Sequence, residues 1–395
     1  MKMTFIVIAY NSCKDLAACL DALLAAGDAQ NEIIVVDNAS HDGSADLVAG
    51  RYPSVRVLRS PVNLGFAGGA NLGIERSDGD CVVILNPDVR LQPDAPARLR
   101  AAFADDRVGV VGCKLLYPDG QRLQHAGGIV DYPLATTRHR GDGETDHGQY
   151  DEASEVAYVT GAAMAVRRAT MDALHGFDAG FFPVYYEDVD LCYRARAAGW
   201  RVVYWPQAVG LHRSATSLDA ASETYFRYLH ANRLRFILKH YSTQQVLADV
   251  LPAEAKRLSA EMPDADRRAS LLALAHPGDC AMHDDARRLP TEEALGEARR
   301  LWLVAEKPFS SRAPLIGPLI AAVRTAWNNV ATRWYIQPML QQQVEFNAAV
   351  LRAVEAIARR LDAVEGAGDA ANAVIARRLT ELERRLEHAE TDRRS

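Results

Sequence analysis

The strongest constraint on the fold is an alternation in the first 85 residues. Apolar, β-branched runs fall at 5–9 (Phe5-Ile6-Val7-Ile8-Ala9), 32–37 (Glu32-Ile33-Ile34-Val35-Val36-Asp37), 55–58 and 81–85 (Cys81-Val82-Val83-Ile84-Leu85). Helical spacing separates them: Leu16, Cys19, Leu20, Leu23 and Leu24 within 15–26, then shorter segments at 44–49 and 68–75. A strand–helix–strand rhythm of this kind predicts an α/β fold, a largely parallel central sheet with helices on both faces. Such sheets bind ligands at the carboxyl ends of their strands. Ala9-Tyr10-Asn11, Asp37-Asn38 and Asn86-Pro87-Asp88 all fall at such ends.

The pattern then changes. Residues 108–213 are richer in strand-like runs and less regular. A polar, glycine-containing stretch at 141–151 reads as a loop. Residues 156–166 read as a buried strand interrupted at Gly161, and 202–206 as another strand with His212 a few residues beyond it. A long amphipathic helix is expected over 223–240. Heptad spacing follows late in the chain, with Val350, Val354, Ile357, Leu361 and Val364, a break at 366–372, then Ile375, Leu379, Leu382 and Leu386. This divides the chain into a catalytic domain at 1–240, a helical accessory region at 241–345 and a coiled-coil tail at 346–395, through which a homo-oligomer would form. A single amphipathic helix folded back on the enzyme is the other reading of the tail.

Composition narrows the classes. A net charge of −6 with no basic arm argues against a nucleic-acid partner. The six cysteines form no CxxC pair, so neither a zinc site nor a redox motif is indicated. Met1-Lys2-Met3 leads directly into the first strand with no leader-like segment, which reads as a cytoplasmic protein. The apolar stretch at 313–323, bounded by Arg312 and Arg324, is too short to span a bilayer. Leu315, Ile316, Leu319, Ile320, Val323 and Trp327, with Arg312, Arg324 and Arg333, suit peripheral contact with the inner face of the cell membrane. They suit a buried helix at an interdomain contact equally well.

Two acidic clusters carry the chemistry. Asp88, just past a buried strand, is placed to hold a divalent metal against phosphates. Glu187-Asp188-Val189-Asp190 follows an aromatic run at the start of a helix, where a carboxylate can take a proton from a bound hydroxyl. Acidic capping through the helix dipole is the plainer alternative, but three acids in four residues exceed what a cap requires. The glycine-rich segment Asn63-Leu64-Gly65-Phe66-Ala67-Gly68-Gly69-Ala70-Asn71 enters a helix, where a backbone can approach a phosphate closely.

Six ordered segments resemble the inverting, family 2 glycosyltransferases of the GT-A fold, and within them a rhamnosyltransferase-like branch that builds bacterial surface polysaccharides. They are Ile8-Ala9-Tyr10-Asn11, the run from Val35 to Ser44, the glycine-rich segment, Leu85-Asn86-Pro87-Asp88, Gly161-Ala162-Ala163-Met164, and Tyr186-Glu187-Asp188-Val189-Asp190-Leu191. The resemblance spans residues 4 to about 240. It implies a nucleoside-diphosphate sugar donor, by resemblance dTDP-rhamnose, and a glycan or lipid-linked acceptor. It implies Asp188 as catalytic base with Glu187 in support, and Asp88 and His212 as ligands to Mg²⁺ or Mn²⁺. Ala9, Tyr10, Asn11, Asp37, Asn38, Asn63, Gly65, Asn71, Asn86, Gly161, Ala162 and Arg213 would contact the donor, Asp37 at the base and Asn86 at the ribose. Tyr186, Asp190 and Trp205 would face the acceptor. The chain departs from the family at position 86, where asparagine replaces the first acid of Asp-x-Asp and removes one negative charge. Residues 196–200 read Arg196-Ala197-Ala198-Gly199-Trp200, unlike the Gln-x-x-Arg-Trp of processive synthases, which implies addition of one or a few sugars. A nucleotide-sugar-binding scaffold and a sugar-phosphate nucleotidyltransferase are the competing readings. The latter would normally carry a glycine-rich loop where Ala9-Tyr10-Asn11-Ser12 stands.

Overall fold

The computed structural model describes residues 1–27, 30–213, 222–260 and 262–275. The coiled-coil tail, the apolar stretch at 313–323 and most of the accessory region lie outside the described residues. The alternation at the start builds β1 (Met3–Ala9), α1 (Cys13–Ala25), β2 (Glu32–Asn38), α2 (Ser44–Arg51), β3 (Arg56–Ser60), α3 (Gly65–Glu75) and β4 (Cys81–Leu85). β1 pairs in parallel with β2 and β4, and β2 with β3. Strands buried on both faces need apolar side chains at successive positions, and every residue of β1 and of β4 is buried. Helix α3 sits hard against this sheet. A Cβ at Gly73 would come within 2.4 Å of Ile6 and 3.1 Å of Val36, so the packing requires glycine there.

The second half is mixed. It comprises β5 (Val89–Leu91), α4 (Ala95–Ala102), β6 (Val108–Leu116), β7 (Leu123–His125), β8 (Gly128–Asp131), β9 (Thr136–His139), β10 (Ser154–Glu155), β11 (Ala163–Arg167), α5 (Arg168–Ala173), α6 (Glu187–Ala197) and β12 (Arg201–His212). The sheet runs β10-β12-β6-β11-β4-β1-β2-β3, with β5 on β12 and β7 on β6, while β8 and β9 form a separate hairpin. β11 inserts antiparallel between β4 and β6, with Ala163 opposite Leu85. Its first residue therefore lies at the carboxyl end of β4.

Two sequence expectations are corrected. Residues 156–166 are not one interrupted strand; only Ala163–Arg167 joins the sheet there. Before it, Val156 donates to the Val202 carbonyl at 3.1 Å and Tyr158 makes an isolated bridge with Gly128, but Thr160 donates to His125 at 3.3 Å and Gly161 to Asp188 at 2.8 Å, so no continuous ladder forms. The strand expected at 202–206 runs on as β12 to His212, which is its last residue and not a loop residue beyond it. Pro206 is tolerated because the register with β6 shifts between Trp205 and Val209.

Helix α7 (Glu223–His240) is capped by Ser222, whose side chain accepts from the Tyr225 N–H. It continues through α8 (Thr243–Gln245), a π-helical turn (Val246–Val250), α9 (Leu251–Ser259) and α10 (Asp264–Ala275). Ion pairs join these helices across residue 240, Arg233–Glu254 and His230–Asp266 at 2.8 Å each, and Arg257–Asp266 at 3.1 Å ties α9 to α10. They belong to one compact unit, Met1–Ala286. Among the described residues no helix is long and apolar enough to cross a membrane.

Candidate active site

The sheet register alone collects polar groups along one edge. β12 ends opposite β5, with His212 paired to Val89, and the Arg213 N–H donates to the Asp88 carbonyl at 3.2 Å. The Asn86 N–H donates to the Ala162 carbonyl at 3.0 Å, which ties the turn after β4 to the turn before β11. A cavity of about 240 Å³ opens here, and Asn86, Asp88, Gly161, Ala162, Tyr186, Glu187, Asp188 and His212 are on its wall. Asp88 and Asp188, far apart in sequence, thus face one space.

On one side of the cavity, His212 Nε2 lies 3.3 Å from Asp88 Oδ1. Both side chains are nearly covered, at 11% and 7% exposed, so each is directed at the other and not at bulk water. No group of three or more metal-capable side chains occurs among the described residues. A nitrogen and an oxygen donor converging at a cavity wall nevertheless fit a divalent cation whose remaining ligands are diphosphate oxygens and water.

The N-terminus of α6 also lines the cavity. Asp188 Oδ2 accepts from the Gly161 N–H at 2.8 Å and Oδ1 from the Val189 N–H at 2.8 Å. Burial pushes its carboxyl above the usual aspartate range, against these two bonds. Glu187 is only 4% exposed, and its Oε2 has no hydrogen-bond partner among the described residues. Burial, and then the Asp188 charge, push its carboxyl well above the usual range. The turn delivering these acids is strained: Tyr185 and Tyr186 have φ of +82° and +69°, conformations that cost bulky residues of order 1–3 kcal/mol each. It is over-determined by its surroundings. Tyr186 Oη donates to the Ala135 carbonyl at 2.7 Å, Asn232 Nδ2 donates to the Val184 carbonyl at 2.9 Å, and the Phe66 N–H donates to the Pro183 carbonyl at 2.8 Å.

Asp37 sits at the end of β2, two strands and about 10 Å across the sheet from β4. It is 5% exposed and its Oδ1 has no partner among the described residues, an acceptor open to a ligand. Ala9 is buried beside it in register and Tyr10 is 40% exposed just beyond. Asn11 Oδ1 accepts from the His41 N–H at 2.8 Å.

Four matches with known families, proteins and structures bear on this geometry. The profile of "Glycosyl transferase family 2" covers residues 4–173. N-acetylglucosaminyl-diphospho-decaprenol L-rhamnosyltransferase of Mycobacterium tuberculosis (strain ATCC 25618 / H37Rv) is 30% identical over 259 residues, covering 60% of this chain and 84% of that protein. The chain belongs to glycosyl transferase family 2. This family 2 glycosyltransferase is also 32% identical over 125 residues to succinoglycan biosynthesis protein ExoO of Rhizobium meliloti (strain 1021), covering 31% of this chain and 36% of that one. Its fold is GT-A. GalNAc-T7, solved with UDP, GalNAc and Mn²⁺, superposes with a TM-score of 0.50 at 14% identity, covering 69% of this chain and 54% of that one.

Several residues singled out in this glycosyltransferase's sequence are occupied by the protein itself. Asn38 Oδ1 accepts from the Leu64 N–H at 2.8 Å, and its Nδ2 donates to Asn63 Oδ1 and to the Gly65 carbonyl, each at 3.0 Å. Asn63 Oδ1 also accepts from the Gly65 N–H at 2.8 Å. These amides clamp the glycine-rich turn. Both ends of the Asn71 amide are bound by the backbone of Phe177, at 2.8 Å each. Asp190 is fully buried and pairs with Arg194, Lys239 and His240 at 2.7, 2.7 and 2.8 Å, linking α6 to α7. Burial opposes its ionisation, yet the bonds from His240 and Lys239 and the Arg194 charge hold its carboxyl below the usual range. The Arg213 guanidinium pairs with Asp15. Trp205 packs against the core beneath the sheet and is not on the cavity wall.

Sequence reasoning missed the other wall. Phe66, Thr137, His139, Tyr158, Thr160 and Leu229 line it. His139 donates from Nδ1 to the Gln124 carbonyl at 3.2 Å, and its ring is packed edge-on against His125 at 4.6 Å between centroids. Burial holds the His139 imidazolium below the usual range, against the pull of the Asp188 charge. Phe66 lay inside a matched motif and could have been found. His139 and Gln124 lie in short strands with no periodicity to flag them.

Proposed function

We propose that this chain is an inverting, metal-assisted glycosyltransferase that moves a sugar from a nucleoside-diphosphate donor to a hydroxyl of a glycan or lipid-linked acceptor. The observation that carries the reading is that Asp88, His212 and Asp188 line one cavity at the carboxyl edge of a nucleotide-binding type of sheet. Asp188 accepts the proton of the acceptor hydroxyl as that oxygen attacks the anomeric carbon. The bond from that carbon to the diphosphate oxygen breaks, and its electron pair leaves with the nucleoside diphosphate. Attack and departure on opposite faces invert the anomeric configuration. The Gly161 and Val189 N–H groups orient Asp188, and its raised carboxyl makes it a stronger base than a free aspartate. Asp37 is placed to accept from an imide N–H of a pyrimidine base. Asp88 and His212 would hold a divalent cation, which when bound would supply positive charge beside the departing diphosphate.

The mycobacterial relative's name supports L-rhamnose as the sugar and a polyprenyl-diphosphate-linked acceptor as the partner. The relative named for succinoglycan biosynthesis supports a place in surface polysaccharide assembly. The heptads at 346–395 support self-association, which sedimentation of the full chain with and without that segment tests. The function is tested by incubating the full chain with dTDP-rhamnose, UDP- and GDP-sugars and a polyprenyl-diphosphate N-acetylglucosamine acceptor, with and without Mn²⁺. Release of nucleoside diphosphate with formation of a product of inverted configuration, read by NMR, is expected. A retained configuration refutes the inverting mechanism, and turnover undiminished by chelator refutes the metal's part.

A further inference from the structure

We propose that Gln124 is a positioning residue: it fixes the proton of His212 on Nδ1 and thereby aims a bare Nε2 at the cation site shared with Asp88. This rests on the metal-assisted reading above. Gln124 is on β7, outside every motif that matched, and is 6% exposed. Its amide makes both of its side-chain bonds to one residue. Nε2 donates to the His212 backbone carbonyl at 3.4 Å, and Oε1 faces His212 Nδ1 in a short contact. A backbone carbonyl can only accept, so the first bond determines which way the amide is turned. Oε1 can likewise only accept, so Nδ1 must be the nitrogen that carries the proton. In neutral imidazole the other nitrogen is then a lone pair.

That lone pair points at Asp88 Oδ1, 3.3 Å away. A divalent ion between them would take one nitrogen and one oxygen donor, which suits both. Residues that orient a ligating histidine through its second nitrogen raise its basicity and stop its rotation. Gln124 extends the same control to the opposite wall, since its backbone carbonyl accepts from Nδ1 of His139. β7 and β12 both pair with β6. The orienting residue and the ligand are thus held by one common strand, which keeps the geometry rigid.

Mn²⁺ binding to the full chain, read by electron paramagnetic resonance of the free ion, tests this without reference to turnover. Gln124→Leu removes the acceptor and is expected to weaken Mn²⁺ binding about tenfold or more. Gln124→Glu keeps an acceptor facing Nδ1 and is expected to restore most of it. Wild-type binding in Gln124→Leu, with binding lost in His212→Ala, overturns the role of Gln124 and leaves the cation site standing. Absence of Mn²⁺ binding in the wild type overturns the cation site itself, and the proposal with it. Should Gln124→Leu fail to fold, the wild type still decides: long-range ¹H–¹⁵N spectra of histidine-labelled protein are expected to show His212 protonated at Nδ1 only, and a proton on Nε2 overturns the proposal.

Discussion

Glu187→Gln should make this enzyme more stable at neutral pH, and the gain should grow with pH over a defined window. Glu187 is buried, and burial followed by the Asp188 charge raises its carboxyl well above the ordinary value. In the unfolded chain a glutamate titrates near about 4.3. Below that pH both states hold the proton and the residue costs nothing. Above it the unfolded chain releases the proton while the folded one retains it, so folding must take up a proton. Stability then falls by up to about 1.4 kcal/mol per pH unit until the folded group also ionises. Beyond the raised value the penalty is constant. Glutamine carries no such penalty. The substitution is nearly isosteric, and Oε2 has no partner among the described residues, so an amide nitrogen placed there interrupts no existing bond.

The measurement is thermal or urea unfolding of both full-length proteins at pH 4.0, 5.0, 6.0 and 7.5. The two should coincide at pH 4.0 and separate steadily, with roughly 2 °C of melting-point gain per kcal/mol. Asp188 titrates upward too, but it is present in both proteins, so the difference isolates Glu187 apart from their mutual coupling. A variant less stable than the wild type at pH 7.5, or a gap that does not change between pH 4.0 and 7.5, refutes the assignment of a strained buried acid.

Asp188→Asn should reduce kcat by about 10²–10⁴ while donor-induced thermal stabilisation persists; loss of donor binding instead would assign Asp188 to the donor. For the wild type, kcat/KM should rise with pH through a value above the ordinary aspartate range and then level, because burial raises the Asp188 carboxyl and its ionised form is the proposed base; a limb at or below about 3.9 contradicts this. Gly65→Ala should destabilise by about 1–3 kcal/mol, since Gly65 has φ of +71° and a Cβ would lie 2.8 Å from both Phe182 Cδ2 and the Pro183 carbonyl oxygen; an unchanged urea midpoint would refute it. Asp37→Ala should weaken binding of pyrimidine nucleotides more than of inorganic pyrophosphate in calorimetry, and equal losses would remove it from the base site.

The parallel half of the sheet was legible because repetition of strand and helix leaves few alternatives. The predicted strands at 5–9, 32–37 and 81–85 match β1, β2 and β4 to within two residues at each end. Reading failed where hydrophobicity and hydrogen bonding part company. Residues 156–162 are apolar enough for a strand, but the N–H groups of Thr160 and Gly161 are used by His125 and Asp188. Polar amides misled in a related way. Asn38, Asn63 and Asn71 have the composition of ligand contacts, and a sequence does not show that the protein's own backbone occupies them. Trp205 drew attention as an aromatic next to proline, whereas its strand register turns it into the core. β7 and β9, at three and four residues, are too short to show any period, so Gln124 and His139 had no signal.

The two acidic clusters are held in place by different means. Asp88 and His212 are placed by strand register, β12 on β5 and β5 directly after β4, so the backbone ladder of the sheet sets their separation. Asp188 is placed by a helix whose entry turn holds two tyrosines in left-handed conformations, secured by Ala135, Asn232 and Phe66 from three separate elements. Such strain persists only where the surroundings over-determine it. The link between the two sides is the Gly161 segment, joined to Asn86 through Ala162 and to Asp188 through its own N–H. A strand at residues 156–162 would have spent that N–H on a neighbouring ladder. The missing strand is therefore what lets a carboxylate on α6 share a cavity with the Asp88–His212 pair fixed by the sheet.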